Sequence, residues 1–313
     1  MKKTKLCMRF MGTMLVIITL TGCGKKQEMK LVNEQNFTPA DVLSIRLDYD
    51  NDDITLLESP TGDITLKEYM DIDKSAYYAR IENSNGQLSI GEGQRPGGNR
   101  LDCYVELYLP ADYEADISVH TTESILKTQI SHPLAALHTE TTHGTLELNN
   151  IKARMISVSS AGGTVNLSNV EADTISFDTA NAVVNADHVH GAIRYTTSNG
   201  KLILTAAYGL GVFDASSDGT LDIAFAEIMG EIKVSAKNSD IYFTAPEDAA
   251  FHFIASSRNG SIKAGYDGVV VSDGQAVGDV GKNPKFTVEL KTHNGAVNAE
   301  MTAYSGVGDT EAR

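Results

Sequence analysis

The chain has 313 residues and a formal charge of −15, from 26 Lys and Arg against 41 Asp and Glu, and 42% of its residues are hydrophobic. Binding of phosphate backbones needs a basic stripe that releases counterions, so this balance excludes nucleic acid as a partner and favours a solvated acidic exterior or cationic partners. Tryptophan is absent, which weakens the aromatic-platform route to sugar binding.

At the N-terminus, Lys2, Lys3, Lys5 and Arg9 precede an apolar run from Phe10 to Leu20, the layout of an export signal. A spanning helix needs about 20 apolar residues, and this run is too short for one. Leu20-Thr21-Gly22-Cys23 resembles the bacterial lipobox, which implies a diacylglyceryl group on Cys23 and loss of residues 1–22 as a lipoprotein signal peptide. That loss removes four positive charges and no negative one, leaving −19. Several acyl chains on one residue anchor a protein permanently, so the expected location is the cell membrane, lipid-anchored, on the extracytoplasmic face. Residues 23–40 are polar and without period, a flexible spacer behind the lipid.

Residues 41–112 read as an irregular β head. Strand patterns occur as DDITL at 52–56, GDITL at 62–66 and NGQLSI at 85–90, without regular spacing. The strand Cys103 to Leu109, followed by Pro110, puts Cys103 on one face with Val105, Leu107 and Leu109, so a buried, inert thiol is expected. With Cys7 in the signal and Cys23 lipidated, Cys103 has no disulfide partner. Asp50-Asn51-Asp52-Asp53 lacks calcium-loop spacing and reads as a solvated turn.

From 113 to 302 the sequence repeats. Corners fall at Gly144, Gly163, Ala182, Gly200, Gly219, Ser239, Gly260 and Gly295, about 19 residues apart until residues 265–285 intervene as an insertion. Apolar residues stand two and four positions after every corner and seven before it; the last column is Leu137, Ile156, Ile175, Ile193, Val212, Ile232, Phe253 and Val288. A degenerate unit with Ile117 and Leu126 flanking Ser124 begins the series. Each unit reads as two short strands joined at a corner where Gly or Asn supplies a positive backbone dihedral. One unit cannot bury its apolar face alone, and stacking the units builds a continuous core. The expected fold is all-β, a stacked β-solenoid-like repeat behind an irregular head; an antiparallel β-sandwich or meander is the alternative that the same alternation permits. Residues 303–313 read as a mobile tail.

The lipobox, the irregular DITL strands, the strand Tyr104 to Pro110 and the serial Asn-Gly-x-Leu-x-Leu units together resemble the bacterial toast-rack, or putative-adhesin, domain of unknown function over about residues 41–302. That resemblance implies a β-solenoid-like fold at the cell surface, with no catalytic residues to carry over.

Motifs for chemistry are sparse. His188-Val189-His190 puts two imidazoles on one side of a strand, a start for zinc that lacks a third ligand, and an exposed loop is the simpler reading. His120, His138 and His143 are scattered over strand edges and corners. No nucleophile elbow, metalloprotease motif or phosphate loop is present. The expectation is a non-catalytic surface protein with no cofactor and no metal, presenting an extended β face to envelope components, proteins or cationic peptides; a polysaccharide-binding or polysaccharide-degrading β-helix is the alternative.

Overall fold

The structure, a computed structural model, describes residues 29–96 and 101–302. Among them are β-strands and two short 3-10 turns, and no α-helix. The strands form two walls that face each other across one apolar core.

In the repeat region each coil contributes one strand to each wall, and neighbouring coils pair in parallel. In the first wall Asp116–Thr121, Leu134–Thr141 and Lys152–Ser160 follow one another in register. In the second, Ile125–Gln129 and Thr145–Asn149 do the same. Four long strands, Thr164–Thr179, Val183–Thr197, Lys201–Ala215 and Thr220–Ala236, then run through both walls by bending between them. Parallel pairing with every coil offset by one turn is a stacked solenoid, and it excludes the antiparallel sandwich or meander.

The three apolar columns line the core with one exception. Val212 is 44% exposed; the residue paired with Ile193 and Ile232 is Gly211. A Cβ at Gly211 would lie 2.6 Å from the ring of Phe213, so the bulk missing from one position is filled by its neighbour. Pattern alone could not separate Val212 from a core residue, because the coil carries one extra residue before Gly219.

The corners also depart from expectation. Gly144, Gly200, Gly219, Gly260 and Gly295 do not take positive φ, and among the corner glycines only Gly163 does, at 83°. They are glycine because successive corners nearly touch. A Cβ on Gly295 would sit 1.9 Å from the Ser239 carbonyl oxygen, and one on Gly260 2.0 Å from that of Gly295. Three residues earlier a buried hydroxyl accepts the corner N–H: Thr141 from Gly144 at 2.9 Å, Thr197 from Gly200 at 2.8 Å, Ser257 from Gly260 at 2.9 Å and Thr292 from Gly295 at 3.1 Å. This satisfies a donor that the turn would otherwise leave unpaired. Just before the glycine, side-chain amides link coil to coil, with Asn199 donating to Asn181, Asn294 to Asn238 and Asn259 to Asn294. Positive φ belongs instead to the two antiparallel hairpins, at Asn85-Gly86 and Asp273-Gly274, and to the opposite bend of the coil, at Asn150, Asn169, His188 and Ala206.

The stacking order is not the chain order. Phe286–Thr292 inserts between Thr220–Ala236 and Phe251–Ser257, and Val297–Thr302 inserts between Asp240–Pro246 and Ile262–Ala264. The last unit in sequence is therefore the penultimate coil in space. The other end repeats the device: Ser44–Tyr49 lies between Gln87–Gly91 and Asp116–Thr121, and Asp53–Glu58 lies between Cys103–Leu109 and Ile125–Gln129. Strands of the region read as an irregular head thus continue both walls of the stack. Antiparallel strands close the ends: Lys30–Phe37, Ile64–Met70 and Arg80–Ser84 at one, and the hairpin Val269–Ser272/Gln275–Val280, within 265–285, at the other.

Adding a methyl at Gly295 forces two corners apart, and Gly295→Ala is expected to cost about 2–4 kcal/mol in chemical denaturation. Gly62 has open space around its missing Cβ and a φ of 80°, so Gly62→Ala is expected to cost only about 1 kcal/mol, from backbone strain alone.

Candidate functional site

Where the four long strands bend between the walls, they leave a groove of about 660 Å³ that crosses the coils. Its floor is Ala153, Ala172, Gly191 and Gly209. A Cβ on Gly191 would lie 1.9 Å from the Ala172 carbonyl oxygen, and one on Gly209 2.1 Å from that of Gly191, so at these two positions the floor is bare backbone by necessity. Beside it runs a register column: Lys152 pairs with Glu171, Glu171 with His190, His190 with Tyr208, and Tyr208 with Glu227. The His190 and Tyr208 rings stack at 4.1 Å, 3° from parallel, and Lys152 Nζ lies 3.0 Å from Glu171 Oε2. On the other side stand Arg154, Asp173, Leu210 and Met229, the last two 40% and 56% exposed. The groove therefore offers exposed aliphatic and aromatic surface between charged rims, which suits contact with an amphipathic partner.

The two imidazoles of His188-Val189-His190 do not converge. His188 has a φ of 50° and its Nδ1 is 2.8 Å from Asp187 Oδ2, whereas His190 joins the Tyr208 stack. Among the described residues no group of three His, Cys, Asp or Glu side chains could hold a metal. His120 lies 3.8 Å from Asp48, and His143 and His138 remain at a corner and on a wall.

The acidic run Asp50 to Asp53 is a turn that faces solvent at Asp50, Asn51 and Asp53, with Asp52 buried beneath it. It is the corner of the first coil, and its carboxylates are used within the fold. Asp50 accepts the Thr122 hydroxyl at 3.1 Å, Asp53 accepts the Ile125 N–H at 2.9 Å, and Asp52, 5% exposed, pairs with the Arg95 guanidinium. Arg95 Nε also lies 3.1 Å from Glu92, whose carboxylate accepts the Asp50 N–H at 2.9 Å. Cys103 is half-buried instead of fully enclosed, and this desolvation, with Asp52 nearby, pushes its thiol up, so it stays protonated. Glu68 is fully enclosed and accepts from Asn33 at 2.6 Å and from the Ala79 N–H at 2.9 Å. Burial still holds its pKa above the ordinary carboxylate value of 4.5. Glu92 and Arg95, distant from Asp52 in sequence, carried no local signal; the groove did, because His190-Gly191 and Tyr208-Gly209 are the same aromatic-glycine pair one coil apart.

The corner residues Gly144, Gly163, Gly200, Gly219, Gly260 and Gly295 build the stack and do not face the groove. Cys23 and the rest of the lipobox, Leu20, Thr21 and Gly22, lie outside the described residues.

A raised folded-state pKa means that the folded chain holds the Glu68 proton more tightly than the unfolded chain, so ionised Glu68 lowers stability at neutral pH. Glu68→Gln is expected to raise the melting temperature at pH 7, and this gain should vanish as the pH falls to 4.5 and below, where the parent is itself protonated.

No curated protein matches the chain. Several solved structures are similar. A "putative lipid binding protein" from Parabacteroides distasonis is 12% identical over 85% of this chain and 96% of its own, with a TM-score of 0.52. A "putative adhesin" from Bacteroides fragilis is 12% identical over 87% and 98%, at 0.45, and a "putative cell adhesion protein" from Clostridium sporogenes is 13% identical over 88% and 100%, at 0.30. Residues 42–300, nearly all of both walls, match the family described as Toastrack DUF4097, and the chain belongs to that family.

Proposed function

We propose that this protein is a non-catalytic, membrane-tethered surface protein, held by lipid on Cys23 at the extracytoplasmic face, that uses the bend groove to contact an envelope component or protein. The observation that carries this reading is the groove itself: half-buried Tyr208 and exposed Leu210 and Met229 stand over a backbone floor between charged rims, on a stack whose register fixes their spacing. Solenoids bind partners along such extended surfaces, because rigid coils hold contacts in place without ordering cost on binding. The carboxylates of the densest acidic run are bound to backbone donors, a hydroxyl and Arg95 instead of facing one another across a cleft, which favours contact over hydrolysis. The strand Lys30–Phe37 begins seven residues after Cys23 and forms one end of the second wall, so a lipid on Cys23 would set that end toward the membrane and extend the stack on the order of 60 Å away, at ~4.8 Å per strand.

The tether is checked by fractionation: Cys23→Ser is expected to shift the protein from the membrane pellet to the soluble fraction and to abolish incorporation of radiolabelled palmitate, and an unchanged distribution would refute it. The groove is checked by retention on fractionated wall, membrane and surface-protein preparations of the host. Saturable retention is expected, weakened about tenfold by the combined change Tyr208→Ala, Leu210→Ser and Met229→Ser, since a few exposed apolar anchors dominate such contacts. Release of soluble product from any fraction would replace this reading with an enzymatic one.

A further inference from the structure

Each wall of the stack has two edges, and three of the four are protected against further strand pairing. Lys30–Phe37 carries Lys30 and Glu34 and shifts register between Leu31 and Asn33; Arg80–Ser84 carries Arg80 and Glu82; Ile262–Ala264 is three residues long and contains Lys263. Charge, bulges and brevity are the usual means of blocking edge-to-edge association. The fourth edge, although only four residues long, carries no charged residue and no register shift. Val269–Ser272 reads Val-Val-Val-Ser, is paired among the described residues on one side only, with Gln275–Val280, and presents Val270 and Val271 at 71% and 47% exposure. Alternate residues of such an edge aim their N–H and C=O outward, where an added strand would take them.

The surface beside this edge is apolar across three strands. Val270 pairs with Val277, and Val277 with Ile254, so three exposed aliphatic side chains form one row at the rim. Asp267 and Asp273 stand just beyond the two ends of the strand. Neither aspartate makes an ion pair among the described residues, and Asp279 is engaged by His252 Nδ1 at 2.6 Å. A second copy pairing antiparallel would bring Asp267 of one chain toward Asp273 of the other, and both chains carry a large negative charge. Like charges disfavour that occupant, whereas a strand with basic ends would meet an aspartate at each end.

We infer that Val269–Ser272 is a docking edge that accepts an extended polypeptide with aliphatic residues at alternate positions and Lys or Arg at its ends, by strand addition to the first wall. This site lies at the opposite end of the stack from Lys30–Phe37 and shares no residue with the bend groove, so each can fail without the other.

The test uses the intact protein and three fluorescein-labelled peptides read by anisotropy: Lys-Val-Thr-Val-Thr-Val-Lys, the same core with Glu ends, and the Lys-ended peptide with a central Pro. The Lys-ended peptide is expected to bind saturably, the Glu-ended one about tenfold more weakly at low salt, and the Pro peptide not at all, because it cannot complete the ladder. Val270→Lys, at a site exposed enough to leave the fold unchanged, should weaken the Lys-ended peptide about tenfold without altering the melting temperature. Equal binding of the Pro peptide, no effect of Val270→Lys, or no binding at all would overturn the inference. So would a dimer in sedimentation velocity that Val270→Lys dissociates, which would give the edge to a second copy.

Discussion

The close approach of one coil's corner to the next sets the terms for the rest of this molecule. Parallel strands lie about 4.8 Å apart, and at a corner that distance must hold for backbone that has turned out of the ladder. The Ser239 carbonyl oxygen comes within 1.9 Å of where a Cβ on Gly295 would stand, and Gly260 and Gly295 repeat the relation one coil further on. Glycine at the corner, a hydroxyl three residues before it and an amide just ahead of it are one solution to this crowding: no side chain in the way, the corner N–H satisfied, and the amide linked to its copy in the next coil. Where the corner is Ala182 or Ser239 instead, the small side chain stays fully buried or nearly so.

Once corners are held at that spacing, the core follows. Each coil feeds its apolar columns into a continuous ladder, and no coil has a core of its own. Such a stack has two ends, and each exposes strands that would pair with any passing chain. The protein meets this by threading: at both ends one coil is slipped between two others that are neighbours in sequence, and antiparallel strands are laid over the outside. Long-range pairing of this kind ties each end of the stack to segments distant in sequence, so the terminal coils cannot peel away one at a time.

Function, on this view, belongs to the places where the regular ladder is interrupted. The groove exists because four strands bend without breaking and because Gly191 and Gly209 let backbone press against backbone there, leaving the stacked His190 and Tyr208 rings standing beside a bare floor. The edge at Val269–Ser272 exists because the closing hairpin ends in valines where the other edges end in charges. By contrast the densest group of carboxylates, which suggests chemistry on paper, is consumed by the first corner: Asp50, Asp52 and Asp53 bind the next coil and Arg95.

The sequence by itself determined the repeat and the burial of nearly every column residue, whereas the antiparallel meander that the same alternation permits was excluded only by the parallel register of neighbouring coils. It also held the family resemblance. What only the tertiary structure decided were features that depend on a neighbouring coil rather than on a neighbouring residue. Val212 points outward because one extra residue shifts the register and Gly211 yields its space to Phe213. The corner glycines serve contact with the coil beside them instead of a positive dihedral, and that contact is invisible in a single unit. The slipped order of the end coils and the pairing of Asp52 with Arg95 likewise join residues far apart in the chain, and a local pattern carries no record of distance in space.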